Sequence, residues 1–545
     1  MRKRIGIRRF FLDAVVLGYV MFLNGMLCDA QEQKPVVNAA TFIDKTATDC
    51  GLQKAIDSLG EKGGILEIPE GEYKLCRYLF LRSGVTLRGA GMDKTMLTVG
   101  NPPHYALITA SDEKQTDMTL DNVEGLVPGM QMHIFSYGKE THGVHRSMPK
   151  VTAVEGNKVT MSDHKYQFII NQNPYVTWGN QLRLVADAKK GESVIQVDMP
   201  TICKPGYALT MSGPGDQWDF HYNVIKSIDG DKLNLERPLT VSAKSGGIID
   251  LNFSMIVSEN QKGIGIDNLT IRGFVTDTFA GPWTGFTVAG IHTHKTSDIV
   301  IRNVAVENWS GDGISIQSAN NVLVSECVGT GNFGHGFHPG TGMTKARFEK
   351  LNSFKNFGDG FYYCWHNNGT DLYDSVLKDN RGNGIGGLGN PGDGNCTISG
   401  NTIEDNDQCG IQAYGGVASK NVIKDNLIRN NSCGKPGQYP GIALYAIPSE
   451  SCMEVTIENN IIESTTTPAT QKIGIEERHS QPNERAKPSA DPVSGLILSD
   501  KNKIIGNKFS GHEIADIVVA GPNTVVGEDQ GKVEKRLPQP AAEKT

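Results

Sequence analysis

Hydrophobic positions in the second half of this chain do not follow a helical period. They fall in short β-branched or aliphatic runs, such as Asn321-Val322-Leu323-Val324 and Cys396-Thr397-Ile398, bounded by Gly, Asn and Asp. Runs of this kind predict short strands joined by turns. One phrase returns among them: any residue, then Gly, then Ile or Phe. It stands at Ala289-Gly290-Ile291, Asp312-Gly313-Ile314, His335-Gly336-Phe337, Asp359-Gly360-Phe361, Asn383-Gly384-Ile385 and Cys409-Gly410-Ile411, with looser copies at Pro440-Gly441-Ile442 and Ile473-Gly474-Ile475. Its glycines are 23, 23, 24, 24, 26, 31 and 33 residues apart. A repeat of this size marks a stacked solenoid. Three short strands and three turns fill about 23 residues, which is one coil of a right-handed parallel β-helix, and coils stack about 4.8 Å apart. A leucine-rich repeat would show Leu-x-x-Leu-x-Leu, which is absent. The fold class is therefore all-β.

The same alternation divides the rest of the chain. Leu52, Ala55, Ile56 and Leu59 have helical spacing and predict a short amphipathic helix. After it come Gly63-Gly64-Ile65-Leu66-Glu67-Ile68-Pro69, Gly71-Glu72-Tyr73 and Ser83-Gly84-Val85-Thr86-Leu87-Arg88-Gly89-Ala90-Gly91. That order resembles the entry segment of pectate-lyase-superfamily proteins, and it implies a pectin-lyase-like solenoid without specifying a reaction. Residues 36–104 read as a cap and first coils. Residues 105–250 lose the rhythm and show two related halves, whose Pro128-Gly129 and Pro205-Gly206 pairs lie 77 residues apart. They predict an inserted, duplicated β module that either contacts glycan or shields the solenoid. Coils resume by 251 and run to about 520, with loops projecting in the polar stretch 465–492. Residues 521–545, poor in apolar side chains, read as a disordered tail.

Composition fits a thin-cored stack: 38% hydrophobic residues and 63 glycines. A net charge of −7 argues against nucleic acid as a partner over the whole surface. Arg2, Lys3, Arg4, Arg8 and Arg9 precede an apolar stretch from Phe10 to Leu23, and small residues follow near Cys28-Asp29-Ala30. This is the pattern of a secretory signal peptide over residues 1–30, with an uncleaved anchor as the other reading; no second spanning segment exists. Secretion or periplasmic export is the expectation, with no stable membrane span after cleavage. Nine cysteines would remain. Cys50 and Cys76 are candidates to pair, whereas Cys327, Cys364, Cys396 and Cys409 read as small apolar residues within or between coils.

Aligning the repeats turns sequence positions into columns, because alternate strand residues face opposite ways. The second residue after each Gly-Ile/Phe pair is mostly apolar (Thr293, Ile316, Pro339, Tyr363, Gly387, Ala413, Leu444) and should point inward. The first and third should face solvent. They include His292, His338 and Tyr362 in one column and His294, Gln317 and Cys364 in the other, with His335 heading its coil and Trp365 and His366 following theirs. Imidazoles, a phenol and carboxylates beside aromatic rings supply proton carriers near neutral pH and surfaces for sugars. A row of merely surface histidines is the alternative.

Residues 309–390 resemble the catalytic coils of mannuronan C5-epimerases, relatives of polysaccharide lyases, whose motif Tyr-Gly-Phe-Asp-Pro-His is followed one coil later by Asp-Gly-Phe-x-x-Asp. Here the matching stretches are His335-Gly336-Phe337-His338-Pro339-Gly340 and Asp359-Gly360-Phe361-Tyr362-Tyr363-Cys364. Gly, Phe and Pro are kept. The family's Tyr falls on His335, its Asp on His338, its His on Gly340 and its later Asp on Cys364. The resemblance implies the fold and the position of a cleft on an extracellular polysaccharide, with the reacting groups replaced. β-Elimination or epimerisation needs a neutralised carboxylate, a base and an acid; His338 and Tyr362 are candidates for the proton transfers, and His335, His292 or a cation for neutralisation. Lys345 and Arg347, in the turn after His338, are candidates to hold a substrate carboxylate or sulfate, or are ordinary turn charges.

A second reading is an inverting glycoside hydrolase. Asp312 and Asp359 hold one repeat position two coils apart, so regular stacking separates their backbones by about 9.6 Å, near the upper end for an inverting pair. Asp before Gly is also a favoured turn residue, and Asn383 fills the equivalent slot. A third reading is a glycan-binding surface protein without turnover. Gly334-His335-Gly336 echoes polygalacturonase-type hydrolases, whose other motifs are missing. Glu476-Glu477-Arg478-His479 reads as a solvated loop edge. No compact acidic loop has calcium-ligand spacing, so calcium has no motif to support it and no other cofactor is evident.

Overall fold

The computed structural model describes residues 34–538 apart from 113, 115, 138–143, 148, 163–173, 213–219, 277–284, 415–418, 484–489 and 529–530. The signal-peptide segment 1–30 and residues 539–545 of the expected tail lie outside the described residues.

Parallel strands stack into a 22-stranded sheet and a 12-stranded sheet. The 12-stranded sheet carries the repeated phrase. Its successive strands include Ile256–Glu259, Ile291–His294, Ile314–Gln317, Phe337–Pro339, Phe361–Tyr362 and Ile385–Leu388. Register is direct: Ile291 lies over Ile314, Ile314 over Phe337, and Phe337 over Phe361. These residues and the second column (Thr293, Ile316, Tyr363, Ala413, Leu444) are essentially inaccessible and fill the core. The glycine of the phrase is there because neighbouring backbones come too close for a side chain. A Cβ on Gly336 would sit 2.1 Å from Ser353 Oγ and 2.8 Å from the Gly360 carbonyl oxygen.

Turns stack as regularly as strands. Between consecutive strands of the large sheet one residue adopts left-handed backbone: Glu326, Lys350, Asp374, then Gly400, Asp425 and Asn459. Polar side chains bridge the coils inside the stack. Asn332 donates to Asn356, Asn356 to Asn380, Asn380 to Asn406, Asn406 to Asn431 and Asn431 to Gln471, each amide reaching the next oxygen at 2.9–3.1 Å. All six are fully buried. The ladder satisfies turn N–H groups that would otherwise be orphaned.

At the N-terminal end the helix Leu52–Ser58 buries Leu52, Ala55 and Ile56 against the first coils. The chain then leaves the stack. Residues from 104 to 250 form a seven-stranded and a six-stranded antiparallel sheet, each with its own apolar core. They return the chain so that Leu79–Phe80 pairs in parallel with Ile256–Val257. A bidentate Arg77–Glu236 pair ties this module to the solenoid.

Several expectations are corrected. The described residues of 521–538 are not a structureless tail: Val533–Lys535 extends the 12-stranded sheet beside Ala515–Val519, and Val525–Val526 pairs with Lys503–Ile504. Stacking edges left open by the last coil are covered in this way. Cys50 and Cys76 are free thiols, like the other described cysteines; Cys50 Sγ donates instead to the Lys74 carbonyl oxygen at 3.4 Å. Glu476 and Glu477 are not on a solvated loop edge but on the strand Ile473–Arg478, both buried. Glu477 points into the stack and accepts from Asn502, Thr524 and the backbone N–H groups of Ala520 and Gly521. Glu476 accepts from Tyr445 and Arg478.

Replacing Asn380 by Ala would strand the donors of Asn356 and the carbonyl of Ser353 that its amide serves. The expected loss is on the order of 3 kcal/mol, measured by chemical denaturation. Lys378→Ala, on the outer side of the preceding strand, should stay within about 0.5 kcal/mol of wild type.

Candidate functional site

The first and third columns are less open than the alternation predicts. His292, Ser315, Gln317, His338 and Leu388 are buried. Two coverings account for His292 and His338. Tyr222, from the inserted module, lies against the His292 ring at 5.7 Å and donates its hydroxyl to the Thr287 carbonyl oxygen. Phe286 sits edge-on to His338 at 5.9 Å. Leu388 has a different cause: a register irregularity after Ile385, with Gly387 in left-handed backbone, turns it inward opposite Ala413.

Asp312, His335, His338, Asp359 and Tyr362 come together on three consecutive coils. Asp312 precedes its glycine and turns its carboxylate toward the next coil. One oxygen accepts the backbone N–H of His335 at 2.8 Å, and the other accepts His338 Nδ1–H at 2.6 Å. Both side chains are nearly inaccessible, at 3% and 6% exposure. Burial alone would deprotonate His338, but the Asp312 carboxylate outweighs it and raises the imidazole to about 10. Burial would likewise raise Asp312, and the imidazolium holds it below its ordinary value instead. The pair is ionic, and its bond to Nδ1 directs Nε2 away from Asp312. That second nitrogen is buried and has no hydrogen-bond partner.

His335 is set differently. Its Nδ1 accepts the backbone N–H of Asp359 at 2.9 Å, so the neutral ring carries its proton on Nε2. Burial lowers its pKa further than the two carboxylates raise it. Its ring stacks on Tyr362 with centroids 4.4 Å apart and planes at 7°, while the His338 ring meets Tyr362 edge-on at 5.2 Å. Asp359 accepts the backbone N–H and side-chain amide of Asn383 on one oxygen, and burial raises its pKa despite His335 nearby. The site therefore holds one imidazolium and one neutral imidazole around a phenol.

The other candidates are placed as follows. His292 lines the adjoining coils but is structural in contact: its ring bonds the Phe286 carbonyl oxygen at 3.1 Å, and burial pushes it down to about 3. Gln317 bridges Ser315 and the Thr341 backbone. His294 stands half-buried at the end of its strand. Trp365 is 48% exposed at the rim, with exposed His366 beside it. Lys345 and Arg347 are not with this cluster. They belong to the strand Thr344–Glu349 of the other sheet, because the chain turns that corner within Thr341–Met343. Arg347 pairs with Glu349 and lies over the Tyr373 ring. Among the described residues no group of three His, Cys, Asp or Glu side chains is arranged to hold a metal ion.

Cys364 carried two readings in the sequence, a small apolar residue within the stack and a member of the outward third column, and the second holds: it is partly accessible. Its thiol lies beside the His338 ring on the next coil and 3.5 Å from Thr341 Oγ1. The signal was its parity, since it occupies the outward third column, while Cys327, Cys396 and Cys409 are buried in the stack.

A continuous stack of parallel coils with one inward apolar column defines a parallel β-helix protein. The chain belongs to the right-handed β-helix family, whose model matches residues 254–422 and 289–527. No curated protein sequence matches it. Among solved structures it is similar to the A-module of the Azotobacter vinelandii mannuronan C-5 epimerase AlgE4, at 16% identity over 90% of this chain and 100% of that one, with a TM-score of 0.50. The AlgE6 A-module from the same organism gives 15%, 92%, 100% and 0.48. The catalytic unit of the GH87 α-1,3-glucanase from Streptomyces thermodiastaticus strain HF3-3 gives 12%, 93%, 71% and 0.45. At these identities the likeness is one of fold.

The signs of the two shifts fix how the buried pair responds to pH. Asp312, lowered, contributes stability above about pH 3.9 that is lost as pH falls through its folded value. His338, raised, contributes stability below about pH 6.5 that is lost as pH rises toward 10. NMR of the imidazole ring should find His338 still protonated at pH 8, and Asp312→Asn should move its titration down. A His338 that titrates near the ordinary histidine value in wild type would contradict the ion pair.

Proposed function

We propose that this chain is an exported polysaccharide-active enzyme, with lyase or epimerase-like chemistry on a uronate-containing glycan. The observation that carries the reading is the buried Asp312–His338 ion pair with an unpartnered Nε2, set against Tyr362 and His335. A positive, desolvated imidazolium is suited to a carboxylate or a developing oxyanion. In this assignment His335 Nε2–H faces the uronate carboxylate and His338 Nε2–H faces the leaving oxygen. Tyr362, ionised to its phenolate beside the His338 imidazolium, takes the proton beside the carboxylate. For elimination His338 protonates the departing oxygen; for epimerisation His338 returns a proton to the opposite face. Trp365 at the rim offers a ring for sugar stacking.

Glycoside hydrolysis by Asp312 and Asp359 is less well supported. Asp312 spends both oxygens on the chain's own donors, and Asp359 spends one on Asn383. Both carboxylates act as orienting groups in this arrangement.

The test is a glycan panel (alginate, pectate, glycosaminoglycans, ulvan and neutral polymers) read by product mass and ultraviolet absorbance. Wild type should yield unsaturated ends or inverted uronates. Tyr362→Phe and His338→Ala should lose at least about 100-fold in rate; Tyr362→Phe should keep the wild-type melting profile, whereas His338→Ala, which leaves the Asp312 carboxylate unpaired, should melt lower. Saturated products surviving in His338→Ala and lost in Asp312→Asn would move the assignment to hydrolysis. Binding without turnover would leave a glycan-binding protein.

A further inference from the structure

We propose that Cys364 is a covalent modification site, a thiolate paired with the His338 imidazolium that reacts with small soft electrophiles such as low-molecular-weight disulfides. The proposal stands apart from which glycan, if any, the groove accepts. It rests first on geometry. Asp312 fixes His338 through Nδ1, leaving the other ring nitrogen buried and unpartnered. Cys364 follows the next strand, anchored by its N–H to the Pro339 carbonyl oxygen at 3.0 Å. This sets the thiol beside the ring, and Thr341 Oγ1 is 3.5 Å from Sγ. Carboxylate, imidazole and thiol thus sit on three successive coils, the set of groups in which a base activates a sulfur nucleophile and a third group orients the base.

The electrostatics agree. Burial alone would raise the Cys364 thiol, yet His338, the Thr341 hydroxyl and the Trp365 backbone N–H together bring it below its ordinary value. Burial drives Cys203, Cys327 and Cys396 up to about 12. The charged groups facing Cys364 are His338 from the preceding coil, with Asp312 behind it, and Asp393 from the following turn. Burial raises Asp393 to about 8, so it is protonated at neutral pH and adds no opposing charge there. Cys364 is also partly accessible, unlike the cysteines of the core.

The step balances without an outside redox partner beyond the disulfide itself. The thiolate attacks one sulfur of R–S–S–R, a Cys364–S–S–R bond forms, and R–S⁻ leaves and is protonated by solvent. With an alkyl iodide the S–C bond forms and iodide departs.

The experiment measures labelling of the folded protein by iodoacetamide and by 2-hydroxyethyl disulfide across pH 5–9, with sites assigned by peptide mass spectrometry. Cys364 should react first, with the midpoint of its rate–pH profile below the ordinary thiol value of about 8.5, and its mixed disulfide should be reversed by dithiothreitol. At pH 6.5 both His338→Phe and the near-isosteric Asp312→Asn should slow it at least about 10-fold, as expected for return to a thiol with pKa about 8.5. Melting curves confirm that the variants are folded, and Cys364→Ser should remove the labelled peptide. A wild-type rate profile with its midpoint at or above about 8.5, unchanged rates in both variants, or no labelling of Cys364 in the folded state would each overturn the proposal.

Discussion

Coils in this molecule are held at a separation that leaves no room for a side chain at the glycine of each repeat. At Gly336 and Gly313 the neighbouring carbonyl oxygens and amides come so near that a single methyl group would collide with them. That closeness lets the next residue, Ile or Phe, lie directly over its counterpart and bury completely. It also lines up whatever precedes the glycine. Asp312, His335, Asp359 and Asn383 are neighbours in space only because every coil repeats the same approach. The chemistry of the site is therefore an outgrowth of core packing.

The buried ion pair shows how such a column is used. Removing two charges from water is costly, and their attraction compensates only when geometry is good and the remaining acceptors are filled. Asp312 meets that condition with a backbone N–H on one oxygen and an imidazole on the other. His338 does not, because one nitrogen lacks a partner. An unfilled donor on an otherwise satisfied pair is where the fold holds interaction in reserve for another molecule or for Cys364.

Much of the solenoid was legible in the sequence, because parallel stacking converts a period in residues into a column in space. The inward parity of Ile316, Tyr363 and Leu444 followed from the alternation of strand residues. Outward parity did not translate into exposure, since the groups covering His292 and His338 come from Tyr222 and Phe286, which no local pattern connects to the coils. Lys345 and Arg347 were misplaced for a related reason: a corner of three residues suffices to carry the chain onto another sheet. The partnership of His338 with Asp312 spans 26 residues and runs diagonally between columns, so spacing alone did not reveal it. Cys364 was obscured by its neighbours' behaviour, most cysteines here being core residues.

The module between residues 104 and 250 has a consequence for the order of assembly. Strand Leu79–Phe80 can find its partner Ile256–Val257 only after the intervening chain exists, and hydrogen bonds such as Ser258 Oγ to the Leu81 carbonyl oxygen span 177 residues. Long-range closures of this kind are slow relative to coil-on-coil growth, where partners lie some two dozen residues apart. As the polypeptide emerges, the first coils can pair among themselves but must wait to dock on the rest of the stack, while later coils can template one another from 256 onward. The module's Tyr222 reaches the His292 ring across that same junction, so the packing around His292 is complete only once that long-range closure is made.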